Sequence, residues 1–187
     1  MVPPLYAAIR GKLQKADIDQ EIKECSIVSM ANFISFTYKS LSAQQISEVV
    51  EIYNERLAND LTRDASLKSI AKIASNAGSK DRAIIPIGNL AVLMPKMFEL
   101  LHKAQRTIHL NTLEALAAML SRYPAQFSGV SGALLKELAP FINDSDMQAS
   151  ALALKVATAT LPITAPSSAE TQAFVANAVK LSQSGVI

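Results

Sequence analysis

The sequence predicts an all-α fold in which antiparallel helix pairs stack into an α-solenoid, and three observations predict it. Apolar residues recur at spacings of three and four along nearly every stretch between turns. The stretches come in pairs joined by short polar turns, and the pair repeats roughly every forty residues. Composition agrees: half of the 187 residues are hydrophobic, tryptophan is absent and only 6 residues are glycine, which suits close-packed helices better than turn-rich sheets. Almost no strand is expected. A single hairpin cannot bury both of its faces, so each unit must lean on the next.

The first unit, 3–38, enters at Pro3 or Pro4, where a missing N–H costs least, and carries Leu5, Ile9 and Leu13 on one face. An acidic turn with Asp17 and Asp19 leads to a second helix whose stripe is Ile27, Met30 and Ile34. Unit two, 42–76, is capped by Ser42 and anchored first by Ile46, Val49, Val50, Tyr53 and Leu57. Leu67, Ile70, Ile73 and Ala74 then match Ile27, Met30, Phe33 and Ile34 of the first unit. Asn76 to Gly78 reads as a helix stop, with Gly78 taking the left-handed conformation.

A connection follows in which Ile84 and Ile85 are expected to tuck against the helices. Unit three, 87–123, has Leu90, Leu93, Met97, Leu100 and Leu101 on its first helix and Leu113, Leu116 and Leu120 on its second. Pro95 kinks that first helix or marks its start, and Pro124 closes the second. In unit four, 125–161, Val130, Leu134, Leu135, Leu138 and Ile142 precede a second acidic turn. Met147, Ala151, Leu154 and Leu161 are the expected core of the helix after it. A half unit, 166–184, shows helical spacing at Phe174, Ala178 and Leu181 and a capping box in Ser167 and Glu170. Neither end carries a polar-faced capping unit, so a piece of a longer protein is expected.

The formal charge of +2 comes from 18 basic and 16 acidic residues spread along the chain, too balanced for a nucleic-acid binder. The first residues do not read as a secretory signal, and no apolar run reaches the roughly 20 residues that span a bilayer. A soluble intracellular protein, cytoplasmic and nuclear, is expected. Cys25 stands alone on a helix and reads as buried filler in a reducing compartment.

Candidate chemistry is sparse. Asp17, Asp19 and Glu21 alternate as in a calcium loop, but the position that must be glycine is Ile22, so these acids read as helix-capping groups beside Lys23. His102 and His109 stand without a third histidine or a cysteine pair and read as surface residues. Ser131 between Gly129 and Gly132 makes no nucleophile elbow, and phosphate-loop patterns are missing. Asn143 to Ser145 is formally a glycosylation sequon and reads as a helix-joining turn. The methionines at 30, 94, 97, 119 and 147 read as core filler. No catalytic residue, metal site or cofactor is predicted. Lys68, Lys72, Arg106, Arg122 and Lys155 fall on or beside second helices, whose outward positions are the candidate partner-binding surface.

The unit of helix, acidic turn and helix with a charged residue early in its second helix resembles a HEAT repeat, and about four and a half such units cover the chain. More specifically, LQKADIDQEIKECSIVSM, NTLEALAAMLSRYP and INDSDMQAS resemble the central part of the cullin-associated and neddylation-dissociated family. The resemblance implies a right-handed superhelix that wraps an unneddylated cullin with its RING-box subunit and exchanges the substrate-receptor modules of cullin-RING ubiquitin ligases. It implies competition and conformational change without covalent chemistry, and no membrane partner. The exposed faces at its ends would make such a piece self-associate. Two other readings stay open here: a HEAT segment of a nuclear transport receptor or phosphatase scaffold, and a helical repeat gripping a nucleic-acid backbone.

Overall fold

The computed structural model describes residues 2–15, 19–76, 84–143 and 145–183. They form nine α-helices, several short 3₁₀ turns and, among these residues, no strand. The fold is all-α and of the solenoid class. The chain divides into two compact units, Met1–Lys96 and Met97–Ile187.

In the first unit α1 (Val2–Gln14) packs on α2 (Gln20–Thr37), and α3 (Ala43–Leu57) packs on α4 (Arg63–Ser75). The two hairpins join mainly through their second helices, α2 against α4. Local chemistry caps the starts of α2 and α3. Asp19 accepts the Glu21 N–H at 2.8 Å, and Ser42 and Gln45 form a reciprocal capping box at 3.2 and 2.9 Å. Asn76 ends α4 in the left-handed conformation, φ 48°, a role its short polar side chain tolerates. The left-handed residue is therefore Asn76, while Gly78 lies outside the described residues.

Ile27, Met30 and Ile34 are buried as their spacing requires, each such burial contributing roughly 1.5–3 kcal/mol. Tyr53 is buried among them and donates its hydroxyl to the Ile27 carbonyl at 2.9 Å, which ties α3 to α2. Burial raises its pKa far above the ordinary value. After residue 84, Ile85, Ile87 and Leu90 turn inward, and a 3₁₀ turn, Leu90–Leu93, lies on α3. Ile85 tucks in as expected; Ile84 does not and is exposed. Gly88 passes so close to α3 that a β-carbon there would stand 3.1 Å from the Ser47 Cβ and 2.2 Å from its hydroxyl.

The boundary between the units falls within α5 (Met94–Leu101), which begins one residue before Pro95, so the proline starts the helix rather than kinking it. In the second unit α6 (Arg106–Arg122) packs on α8 (Met147–Thr160), while α7 (Ser131–Leu138) contacts both α8 and α9 (Ala169–Gln183). The 3₁₀ turn Pro124–Val130 leads into α7. α9 is capped by Ser168, whose Oγ accepts the Thr171 N–H at 3.1 Å, not by the Ser167 and Glu170 pair.

Three readings of individual faces are corrected. On α1 the buried residues are Tyr6 and Leu13, and Leu5 is exposed. On α8 the core face is Ala149, Ser150, Ala153, Val156 and Ala157, while Met147 is 44% exposed and Ala151 is exposed. Close helix packing selects small side chains at the seam and turns the larger ones outward. Cys25 is exposed on α2, one turn from exposed Ile22, because the helix buries its opposite face. Of the five methionines read as core filler the other four, Met30, Met94, Met97 and Met119, are core.

Candidate functional site

Arg106 occupies the first turn of α6, where its long side chain can reach past its own helix. Asp146 is the N-cap of α8, its Oδ1 accepting the Ala149 N–H at 3.1 Å, which aims the carboxylate at the positive end of that helix. Arg106 meets it in a fork: Nε donates to Oδ2 at 2.5 Å and Nη2 to Oδ1 at 3.0 Å. Nη2 also donates to Gln148 Oε1 at 3.1 Å. The guanidinium, helped by the Ala149 N–H, holds the Asp146 carboxyl down at about 2.

The first unit has its counterpart on the first helices. Arg10 Nε donates to Glu48 Oε1 at 2.7 Å, and the Tyr6 hydroxyl donates to Glu48 Oε2 at 3.0 Å and to the Gln45 carbonyl at 3.1 Å. Arg10 lowers the Glu48 pKa, and burial with the neighbouring carboxylate pushes the Tyr6 hydroxyl up to about 12. Arg56 donates to the Leu13 carbonyl, so α3 caps the C-terminal end of α1. Beside this seam lie two depressions of 530 and 360 Å³, both lined by Glu48 and Glu51.

Arg63, the first residue of α4, works inside its own hairpin. It is buried, donates Nε to the Leu57 carbonyl at 3.0 Å and pairs with Asp60. Its position corresponds to that of Arg106 in α6, yet it caps the end of α3 instead of reaching another hairpin.

Of the sequence-predicted positions, Lys68 is ion-paired to Asp64 at 2.6 Å, one turn back on α4, and Lys72 is half-buried on the same helix. Arg122 is half-buried at the end of α6 and Lys155 is exposed on α8. Arg106 belongs to the fork just described. His102 is exposed and stands 2.7 Å from Glu137 on α7; His109 is half-buried and meets Phe141 edge-on at 5.2 Å. Among the described residues, no group of three or more His, Cys, Asp or Glu side chains could hold a metal ion. No described helix is long and apolar enough to cross a membrane.

The sequence reading missed the contacts of Tyr6, Arg10 and Glu48. A signal for them was present: Arg10 and Glu48 are 38 residues apart, Tyr6 and Glu48 42, Leu13 and Arg56 43, and Arg106 and Asp146 40. Complementary polar residues one repeat period apart are the pairs that stacked hairpins bring together. The surface so built consists of polar seams between helices and exposed side chains outside them.

Comparison with known proteins bears on what this surface serves. No family model matches the sequence. The chain is 29% identical over 147 residues to Cullin-associated NEDD8-dissociated protein 1 of Drosophila melanogaster, covering 78% of this chain and 11% of that protein. The chain is thus similar to the cullin-associated NEDD8-dissociated proteins over most of its length. Protein 1 of Arabidopsis thaliana is 29% identical over 156 residues, covering 83% of this chain and 12% of the relative. Protein 2 of Mus musculus is 29% identical over 173 residues, covering 89% and 13%. The chain thus spans between a tenth and a seventh of these cullin-associated relatives. The crystal structure of an engineered protein superposes with a TM-score of 0.60 at 14% identity, covering 97% of this chain and 69% of that one, a likeness of fold alone.

Proposed function

We propose that this chain is a non-catalytic protein-binding scaffold, a HEAT segment of a solenoid that grips an unneddylated cullin with its RING-box subunit. The observation that carries the reading is the 29% identity to cullin-associated NEDD8-dissociated proteins 1 and 2 over most of the chain. Polar contacts at one repeat period support it, since each ties one hairpin to the next within its own unit. In this reading the grip competes with the substrate-receptor module and promotes its exchange. It places the protein in cytoplasm and nucleus, and its exposed apolar faces let copies self-associate.

The test is binding of the chain to a purified cullin and RING-box complex, with and without the NEDD8 modification, by calorimetry or surface plasmon resonance. Binding that disappears on modification is the expected result. Equal binding to both forms, or to neither, contradicts the reading.

A further inference from the structure

Met147 stands apart from the other described methionines. Met30, Met94, Met97 and Met119 are at most 1% exposed, whereas Met147, the first residue of α8, is 44% exposed. That exposure does not come from a frayed helix end. Asp146 and Gln148, the neighbours on either side, both accept from the Arg106 guanidinium, and Asp146 also accepts the Ala149 N–H. Met147 therefore meets solvent from a turn that is held in place.

The rest of the helix sets the consequence. Met147, Ala151, Leu154 and Thr158 follow one another at spacings of four, three and four, so they line one strip of α8, opposite buried Ala149 and Val156. Met147, Ala151 and Thr158 are exposed and Leu154 is half-buried, which makes Met147 the one large apolar side chain that this strip exposes. A thioether in that position is open to peroxides. The sulfur lone pair attacks one peroxide oxygen and the O–O bond breaks. The hydroxide that leaves takes the proton of the transferred oxygen and departs as water. Sulfur loses two electrons, peroxide gains them, and methionine sulfoxide remains. Two thiols of a methionine sulfoxide reductase system return the electrons, giving thioether, water and a disulfide.

We propose that Met147 is a site of reversible oxidation by hydrogen peroxide, which turns the outer strip of α8 from apolar to polar while the fold stays intact. The four buried methionines are shielded, because their sulfur meets peroxide only when the surrounding helices open. The sulfoxide of Met147 stays in water, so no core contact is lost with it. This chemistry does not depend on the partner proposed above.

The experiment exposes the whole chain to hydrogen peroxide and follows each methionine by peptide mass spectrometry. Cys25, which is exposed and would also react, is first blocked with N-ethylmaleimide. Met147 should gain one oxygen about tenfold or more faster than Met30, Met94, Met97 and Met119. The circular dichroism spectrum and urea midpoint of the chain oxidised at Met147 should match those of the blocked, unoxidised chain. Methionine sulfoxide reductase with thiol should remove the oxygen from the folded chain. Met147→Gln, a polar side chain of similar length, should leave the urea midpoint unchanged as well. Oxidation of Met147 no faster than that of the buried four overturns the proposal. So does a midpoint lowered by the sulfoxide or by Met147→Gln, or a sulfoxide that the reductase removes only after urea is added.

Discussion

Arg63 and Arg106 hold the same place in their repeats, the first residue of a second helix, and do opposite things with it. Arg63 has a side chain 7% exposed and folds back onto the end of α3 in its own hairpin. Arg106 has a side chain 58% exposed and forks onto the cap of α8 in the next one. Position in the repeat therefore places the cation without choosing its task. Burial and the nearest acceptor choose it: carbonyls at a helix end in the first case, an aimed carboxylate in the second. A buried cation that loses its acceptors, or acceptors that lose their cation, are costly; an exposed pair in water is worth little.

That difference predicts a ranked set of outcomes. Arg63→Ala strips the donor from the Leu57 and Ala58 carbonyls and should destabilise the chain by about 2 kcal/mol in urea unfolding monitored by circular dichroism. Tyr53→Phe removes the hydroxyl that donates to Ile27, at a cost of about 1 kcal/mol in the same measurement. Gly88→Ala presses on Ser47 and should cost about 1 kcal/mol, and Ser47→Ala in the same chain should recover the part due to the hydroxyl while the Cβ contact remains. Arg106→Ala should cost the least of the set at neutral pH, because an exposed pair in water contributes little. A loss as large as that of Arg63→Ala would break the comparison.

Acid sharpens it further. Asp146 has a folded pKa depressed from 3.8 to about 2, so its contribution is complete above pH 3.8 and is lost as pH falls toward 2. Asp146→Asn removes that group, and the stability of the variant should fall less steeply than that of the unaltered chain across this window. Parallel curves would mean that the fork with Arg106 does not persist in solution.

The helices were legible because their signals are local. Ser42, Asp19 and Asp146 cap where a short oxygen-bearing side chain precedes an apolar run, and Ile27, Met30, Leu113 and Leu116 are buried as their spacing requires. Faces were less legible where size and shape pull apart. Met147 and Ala151 looked like core, yet α8 turns Ala149, Ala153 and Ala157 inward, since packing rewards close approach rather than hydropathy. Tyr6 replaced Leu5 at the α1 seam because its hydroxyl finds Glu48 and Gln45 there. Arg106 was singled out as a candidate partner-binding charge, but its partner within the chain lies 40 residues away and becomes visible only when polar residues are compared at the repeat period.

The central claim is that neighbouring hairpins supply the burial that neither can find alone. It is tested most directly by circular dichroism and urea unfolding of residues 1–96, 1–41 and 42–76 as separate peptides. Residues 1–96 should be helical and unfold in one cooperative step, while each isolated hairpin shows weak helicity and no cooperative transition. A cooperative, fully helical 1–41 or 42–76 would contradict the account.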